Sequence, residues 1–177
     1  MAAEFSRRTE GLLNQAHEIC QQRGVTLTEL RRRILGLILD TAVPIGAYEL
    51  LDQLREERRG AAPPTVYRTL DFLLEQGLIH KLERLSAFVG CVAGCTIGSA
   101  ADGHEHAAQF MICRICGRVI EMQNHDVSAA LAKAALRSGF VIKIVTVEAE
   151  GLCKMCLPTG KRSAVAYKKG HPRPKRK

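Results

Sequence analysis

Along the first ninety residues apolar side chains recur at three- and four-residue intervals, and then the pattern changes to short runs of strand character. Phe5, Leu12, Ala16, Ile19 and Cys20 place a helix over residues 4–22, with Cys20 as a small buried residue, and Gly24 breaks it. Thr28 is an N-cap for a second helix whose apolar stripe is Leu30, Ile34, Leu37 and Ile38. A third helix follows the turn Pro44-Ile45-Gly46 and buries Leu50, Leu51 and Leu54, and the turn Gly60-Ala61-Ala62-Pro63-Pro64 leads out of it. In the fourth, Pro64 suits the first turn and Gly77 the position just past the end. Its stripe is Val66, Leu70, Leu73 and Leu74, which leaves Tyr67, Arg68 and Asp71 on other faces. The segments Leu78–Leu82 and Ala87–Cys91 predict a β-hairpin.

Helices with a short turn between the last two, followed by a hairpin, are the order of parts in a winged helix-turn-helix, where the last helix enters the DNA major groove. Arg68 is suited to donate two hydrogen bonds to a guanine, and Tyr67 to pack on a thymine methyl or bond a phosphate. Helix and hairpin units of this kind also serve as structural or dimerisation modules, so pattern alone leaves both open. Arg31, Arg32 and Arg33 fit a solvated helix face as well as a phosphate contact.

Residues 93–107 are rich in Gly, Ala and Ser and read as a hinge. Beyond it, Phe110-Met111-Ile112 and Val119-Ile120-Glu121-Met122 are strand-like, Ser128–Arg137 is helical up to Gly139, and Phe140–Val147 is a β-branched strand. The expected class is α+β: a winged helix-turn-helix domain over residues 1–92, the hinge, a small C-terminal α/β domain over residues 108–158, and a tail over residues 159–177. Domains this thin lean on a metal or a partner subunit.

The small domain carries residues suited to hold a metal. Cys113-Arg114-Ile115-Cys116 returns forty residues later as Cys153-Lys154-Met155-Cys156, and four thiolates in two Cys-x-x-Cys pairs close a tetrahedral zinc shell with no open position. Such a site joins the first strand of the domain to its last and is a folding staple. A thioredoxin-like redox pair is the rival, but neither pair opens a helix of a parallel βαβ unit. His80, Cys91, His106 and Glu121 form a looser second set, drawn from hairpin, hinge and second domain. A metal there would tie the three together, and its mixed nitrogen, sulfur and oxygen donors suit zinc over manganese or ferrous iron.

Composition changes this picture little. Apolar residues make up 46% and charged residues 25% of 177 positions, which is ordinary for a globular protein without a membrane-spanning run. The start of the chain lacks the apolar segment of a signal peptide, so a cytoplasmic location is expected, where cysteines serve metals or redox chemistry before disulfides. The net charge of +8 resides wholly in residues 161–177, which carry eight basic and no acidic residues. With Pro172 and Pro174 and no core-forming pattern that tail is expected to be disordered, and it fits either sequence-independent attraction to phosphates or a solubilising end.

Val25-Thr26-Leu27-Thr28 with Arg31, the run Pro63–Leu73, His80-Lys81, the two Cys-x-x-Cys pairs and Gly151-Leu152-Cys153 together resemble the ferric uptake regulator family, most nearly its zinc-sensing branch, over about residues 15–157. The resemblance implies a dimeric, metal-dependent repressor of zinc-uptake genes with zinc as corepressor, no enzyme activity, and two zinc ions per subunit. It implies double-stranded DNA with a dyad-symmetric operator as partner, and neither a membrane nor a small-molecule substrate. By position, Cys113, Cys116, Cys153 and Cys156 match the structural zinc, and His80, Cys91, His106 and Glu121 the regulatory zinc. Tyr67 and Arg68 match the base-contacting pair, with Thr65, Tyr48 and Arg31 as further DNA contacts. Iron-sensing members carry a histidine-rich run where Ala107-Ala108-Gln109-Phe110 stands here, which favours zinc over iron, and a sister sensor of iron, manganese or peroxide is the alternative within the family. The loop from Cys91 to His106 is longer than usual and adds Cys95 and His104 as spare ligands. Thr28-Glu29 replaces the usual Thr-Pro, which bears on the helix start.

Overall fold

In the computed structural model, which describes residues 5–41, 43–57, 60–91, 108–142 and 145–157, the first part of the chain packs four helices against a three-stranded sheet. Helix α1 (Arg7–Gln22) starts where the Ser6 hydroxyl accepts from the Thr9 amide. Its buried stripe is Thr9, Leu13, Ala16, Ile19 and Cys20. Leu13 replaces the expected Leu12, because steps of four, three and four residues from Thr9 hold one face. Thr9 is buried although polar, and its hydroxyl donates to Asp40 Oδ1 at 2.7 Å. Helix α2 (Glu29–Asp40) is capped by Thr28 as expected and buries Ile34, Leu35, Gly36 and Ile38. Gly36 lies directly under the Phe5 ring, where a Cβ would overlap it.

Helix α3 (Ala47–Glu57) buries Leu50, Leu51 and Leu54, and α4 (Pro63–Glu75) buries Val66, Thr69, Leu70, Phe72 and Leu73. Gly77, at φ +64°, turns the chain out of α4 in the left-handed region that favours glycine. The turn expected at Pro44-Ile45-Gly46 contains a strand, β1 (Ile45–Gly46), too short for alternation to reveal. It pairs antiparallel with β3 (Ala87–Gly90), which in turn pairs with β2 (Ile79–Leu82), so the sheet order is β1-β3-β2. The hairpin predicted from sequence is therefore two thirds of a three-stranded wing.

The second part holds β4 (Ala108–Cys113), β5 (Val119–Met122), α5 (His125–Arg137) and β6 (Thr146–Gly151), with sheet order β5-β4-β6. Strand β5 runs antiparallel to β4 and β6 parallel to it. Helix α5 begins three residues before the expected Ser128, because the Asn124 side chain accepts from the Asp126 and Val127 amides at 2.8 and 3.2 Å and caps it. The last strand is also displaced from the expected Phe140–Val147. Phe140, Val141 and Ile142 are not in a strand, and β6 lies where Gly151 pairs with Cys113. Ladder register outweighs β-propensity here. No residue of α5 is buried, and Leu136, Phe140 and Val141 are exposed.

Two apolar clusters hold these parts. The large one fills the space between α1–α4 and the first sheet. The small one brings Leu82 and Val89 from the wing against Phe110, Ile112, Ala108 and Val119 of the second sheet, and so joins the two halves.

Candidate metal centres and reader helix

Strand β4 ends at Cys113, and the chain turns at once: the Gly117 amide donates to the Cys113 carbonyl at 3.0 Å, with Gly117 at φ +70°. The second pair forms a matching knuckle after β6, where the Cys156 amide donates to the Cys153 carbonyl at 2.9 Å. Arg114 N–H donates to the Gly151 carbonyl at 2.9 Å, so parallel pairing of β4 and β6 brings the knuckles together. The sulfur atoms of Cys113, Cys116, Cys153 and Cys156 all lie within 4.8 Å of one another. Backbone N–H groups of Cys116, Cys153 and Ile115 pull the Cys113 thiol down to about 6, while the hydrogen bond with the Cys153 side chain pushes the Cys156 thiol up to about 12. Four thiolates this close repel unless a cation sits among them, and the donor set fits a structural zinc ion.

The second cluster is smaller. His80 on β2, Cys91 just beyond β3 and Glu121 on β5 bring their ligand atoms within 4.8 Å of one another. The Cys91 amide donates to the Leu78 carbonyl at 3.1 Å, which continues the β2–β3 pairing by one step and places its side chain beside His80. His80 Nε2 stands 3.5 Å from Glu121 Oε1, and Cys91 Sγ stands 3.9 Å from the same oxygen. His80 Nε2 is buried and makes no hydrogen bond among the described residues. Glu121 Oε1 at 3.5 Å is its nearest charged neighbour, and nitrogen, sulfur and oxygen donors brought together in this way fit zinc. His106, Cys95 and His104 lie outside the described residues.

On α4, Val66, Thr69 and Leu70 fix the helix to the core and leave Thr65, Tyr67 and Arg68 exposed side by side. Tyr48, at the start of α3, is exposed as well. Arg31 is placed differently. Its guanidinium carbon sits 3.5 Å from the centre of the Phe72 ring and its Nη1 donates to the Thr26 carbonyl at 2.7 Å, so it braces α2 against α4.

Sequence reasoning missed a clasp between the halves. Glu148 accepts from the Glu83 and Arg84 amides of the wing turn at 2.8 and 3.4 Å, and Glu150 pairs with Arg84 at 3.1 Å. The alternation Glu148-Ala149-Glu150 on a strand was the available signal, since period two puts both carboxylates on one face.

The family model described as the ferric uptake regulator family matches residues 22–150. The zinc uptake regulation protein of Escherichia coli strain K12 is 42% identical over 149 residues, 84% of this chain and 83% of that protein. A solved zinc uptake regulator in complex with zinc and DNA shares 41% identity at a TM-score of 0.76, covering 85% of this chain and 96% of that one. The holo structure of XcZur shares 39% identity at a TM-score of 0.71, covering 82% and 96%. With its winged helix, its paired knuckles and a match over most of its length, the chain belongs to the ferric uptake regulator family.

Proposed function

We propose that this protein is a cytoplasmic, zinc-responsive transcriptional repressor that binds double-stranded operator DNA as a homodimer and silences zinc-uptake genes. The observation that carries the reading is the convergence of His80 Nε2, Cys91 Sγ and Glu121 Oε1 within 4.8 Å of one another, because these residues come from both halves of the molecule. Support also comes from the relatives, which are zinc uptake regulators, one of them solved with zinc and DNA.

In this reading each subunit holds two zinc ions. Cys113, Cys116, Cys153 and Cys156 keep the second sheet folded, while His80, Cys91 and Glu121, with His106 as the proposed fourth ligand, make the responsive site. Zinc, when bound, neutralises the Cys91 thiolate and Glu121 carboxylate and takes the His80 lone pair. The chain does the rest. His80 and Cys91 lie at the root of the wing and Glu121 lies on the second sheet, so bringing the donors together closes the small apolar joint at Leu82, Phe110 and Ile112. Closure fixes the position of α4, which presents Thr65, Tyr67 and Arg68 to DNA, with Tyr48 of α3 as a further contact. Arg31 contributes by bracing α4 from behind through Phe72. The exposed Leu136, Phe140 and Val141 supply apolar surface for the second subunit.

Only differential affinity moves such an equilibrium, and a swing from about 1:99 to 99:1 needs ~5.5 kcal/mol. Gel shift on a dyad promoter, with zinc titrated against chelator, tests the reading. DNA affinity should follow free zinc, and equal affinity at both extremes would sink it. A sister sensor of iron, manganese or peroxide is the second reading, and the Cys91 thiolate weighs against it.

A further inference from the structure

The neighbours of His80 include one that is no ligand. The His80 ring stands edge-on to the ring of Phe110, with centroids 5.2 Å apart and planes at 61°. Phe110 is 1% exposed and lies on β4 directly opposite Glu121 of β5. One aromatic side chain therefore borders two of the three donors, one from each sheet. Around it pack Leu82 and Ile112, with Val89, Ala108 and Val119. This side of the site is hydrocarbon among the described residues. It offers no lone pair, and a water placed against it would lose hydrogen bonds.

We infer that Phe110 sets the metal selectivity of the His80, Cys91 and Glu121 site by closing one side of it to any further ligand. The inference rests on the zinc reading of that site given above. Zinc has no geometric preference from its d electrons and is satisfied by four donors, whereas manganous ion favours six oxygen-rich positions and ferrous sites keep open ones. A wall that supplies neither a donor nor room for water holds the coordination number down and so penalises the six-coordinate ions. The same edge-on contact fixes the plane of the His80 imidazole. Loss of a hydrogen-bonded neighbour that orients a ligand typically costs about 10- to 100-fold in metal affinity, which is an upper bound for a ring contact.

The test uses the full chain with its four-cysteine cluster preloaded with zinc, the second site then being titrated with cobalt(II) and competed with manganese(II). Wild type and Phe110→Leu should both show the intense visible absorption of four-coordinate cobalt, with Phe110→Leu weaker in affinity by less than about tenfold. Phe110→His puts a nitrogen donor on the wall. It should give the faint absorption of five- or six-coordinate cobalt and lower the preference for zinc over manganese by at least about tenfold. A Phe110→His protein with a four-coordinate spectrum and an unchanged preference would overturn the inference. Far-UV circular dichroism shows whether that variant folds. If it does not, X-ray absorption on cobalt-loaded wild type decides: a shell of four donors supports the role of Phe110, and additional oxygen ligands refute it. Wild type that takes up no cobalt beyond the preloaded cluster would instead overturn the zinc reading of the site, and this inference with it.

Discussion

Leu82 is the residue through which metal binding at the wing should be felt as folding. It ends β2, is fully buried, and finds its buried neighbours Phe110 and Ile112 on the other sheet, so its burial belongs to the closed arrangement. Leu82→Ala deletes buried hydrocarbon and leaves a cavity at the joint. Such changes cost about 2–5 kcal/mol, and a figure near the lower end fits because only the interdomain share of the contact counts. If the apo protein is mostly open, that cost is charged to closure alone. At ~1.4 kcal/mol per decade, about 2 kcal/mol weakens zinc at the His80 site by roughly 30-fold. The assay is competition with a chelator of known affinity, with the four-cysteine cluster already filled, alongside thermal unfolding. Zinc affinity should fall while unfolding of the helical domain, whose large cluster does not contain Leu82, barely moves. Unchanged zinc affinity would refute the reasoning, since it would mean the halves are docked whether or not metal is bound.

Four other outcomes are expected. Arg68→Ala should cost about 1–3 kcal/mol in operator binding with little effect on non-specific DNA, read by gel shift against both. Cys113→Ser should lose the structural metal and melt the second sheet, seen as lower zinc stoichiometry by elemental analysis and a lost unfolding transition. Glu148→Gln keeps the shape but weakens an exposed clasp worth at most about 1 kcal/mol, so zinc affinity at the His80 site should fall by less than roughly sixfold. Asp40 has its carboxyl held below the usual range chiefly by the Thr9 hydroxyl, and then by Ser6. A depressed folded-state value means stability that is present above the unfolded value near 4 and lost as pH falls through the folded one. Thr9→Val should therefore melt below wild type at neutral pH, and the gap should close as the pH drops below about 4.

How much of this was legible in the chain depends on the range of the forces involved. The N-cap at Thr28, the stop at Gly77, the leucines of α3 and the two Cys-x-x-Cys pairs act over one turn or one knuckle, and their spacing carries their role. The grouping of His80, Cys91 and Glu121 was visible as chemistry, yet only tertiary packing shows them within reach of one another. Strand β1 escaped because two residues carry no period, and β6 was misplaced because its position is dictated by pairing with β4 rather than by its own β-branched residues. Arg31 looked like a surface cation until Phe72, forty-one positions away, proved to lie beneath it. Phe110 read as one more strand residue, since nothing local says that its ring will meet a histidine from another sheet.

On the zinc reading proposed above, the four-cysteine cluster and the wing site are coupled in series, and only the wing site is suited to sensing. Cys113 closes β4 three residues after Phe110, and β6 lies parallel to β4 with Gly151 opposite Cys113 and Glu148 opposite Phe110. The crossover helix α5 buries none of its residues fully and meets that pair through the Ser128 hydroxyl, which accepts from Gln109 Nε2 of β4 at 3.2 Å. The knuckles tie the ends of the two strands, where Arg114 N–H donates to the Gly151 carbonyl. With them closed, Phe110 is held against His80, and Glu148 reaches the amides of the wing turn from the same sheet. Loss of the cluster should therefore abolish the zinc response as completely as loss of His80 does, while the causes stay separable. His80→Ala leaves the second sheet folded with its cysteine-bound metal, whereas Cys113→Ser removes the surface against which the wing closes. A zinc response that survived Cys113→Ser would mean that the wing site closes without its backing sheet, and the serial arrangement would be wrong.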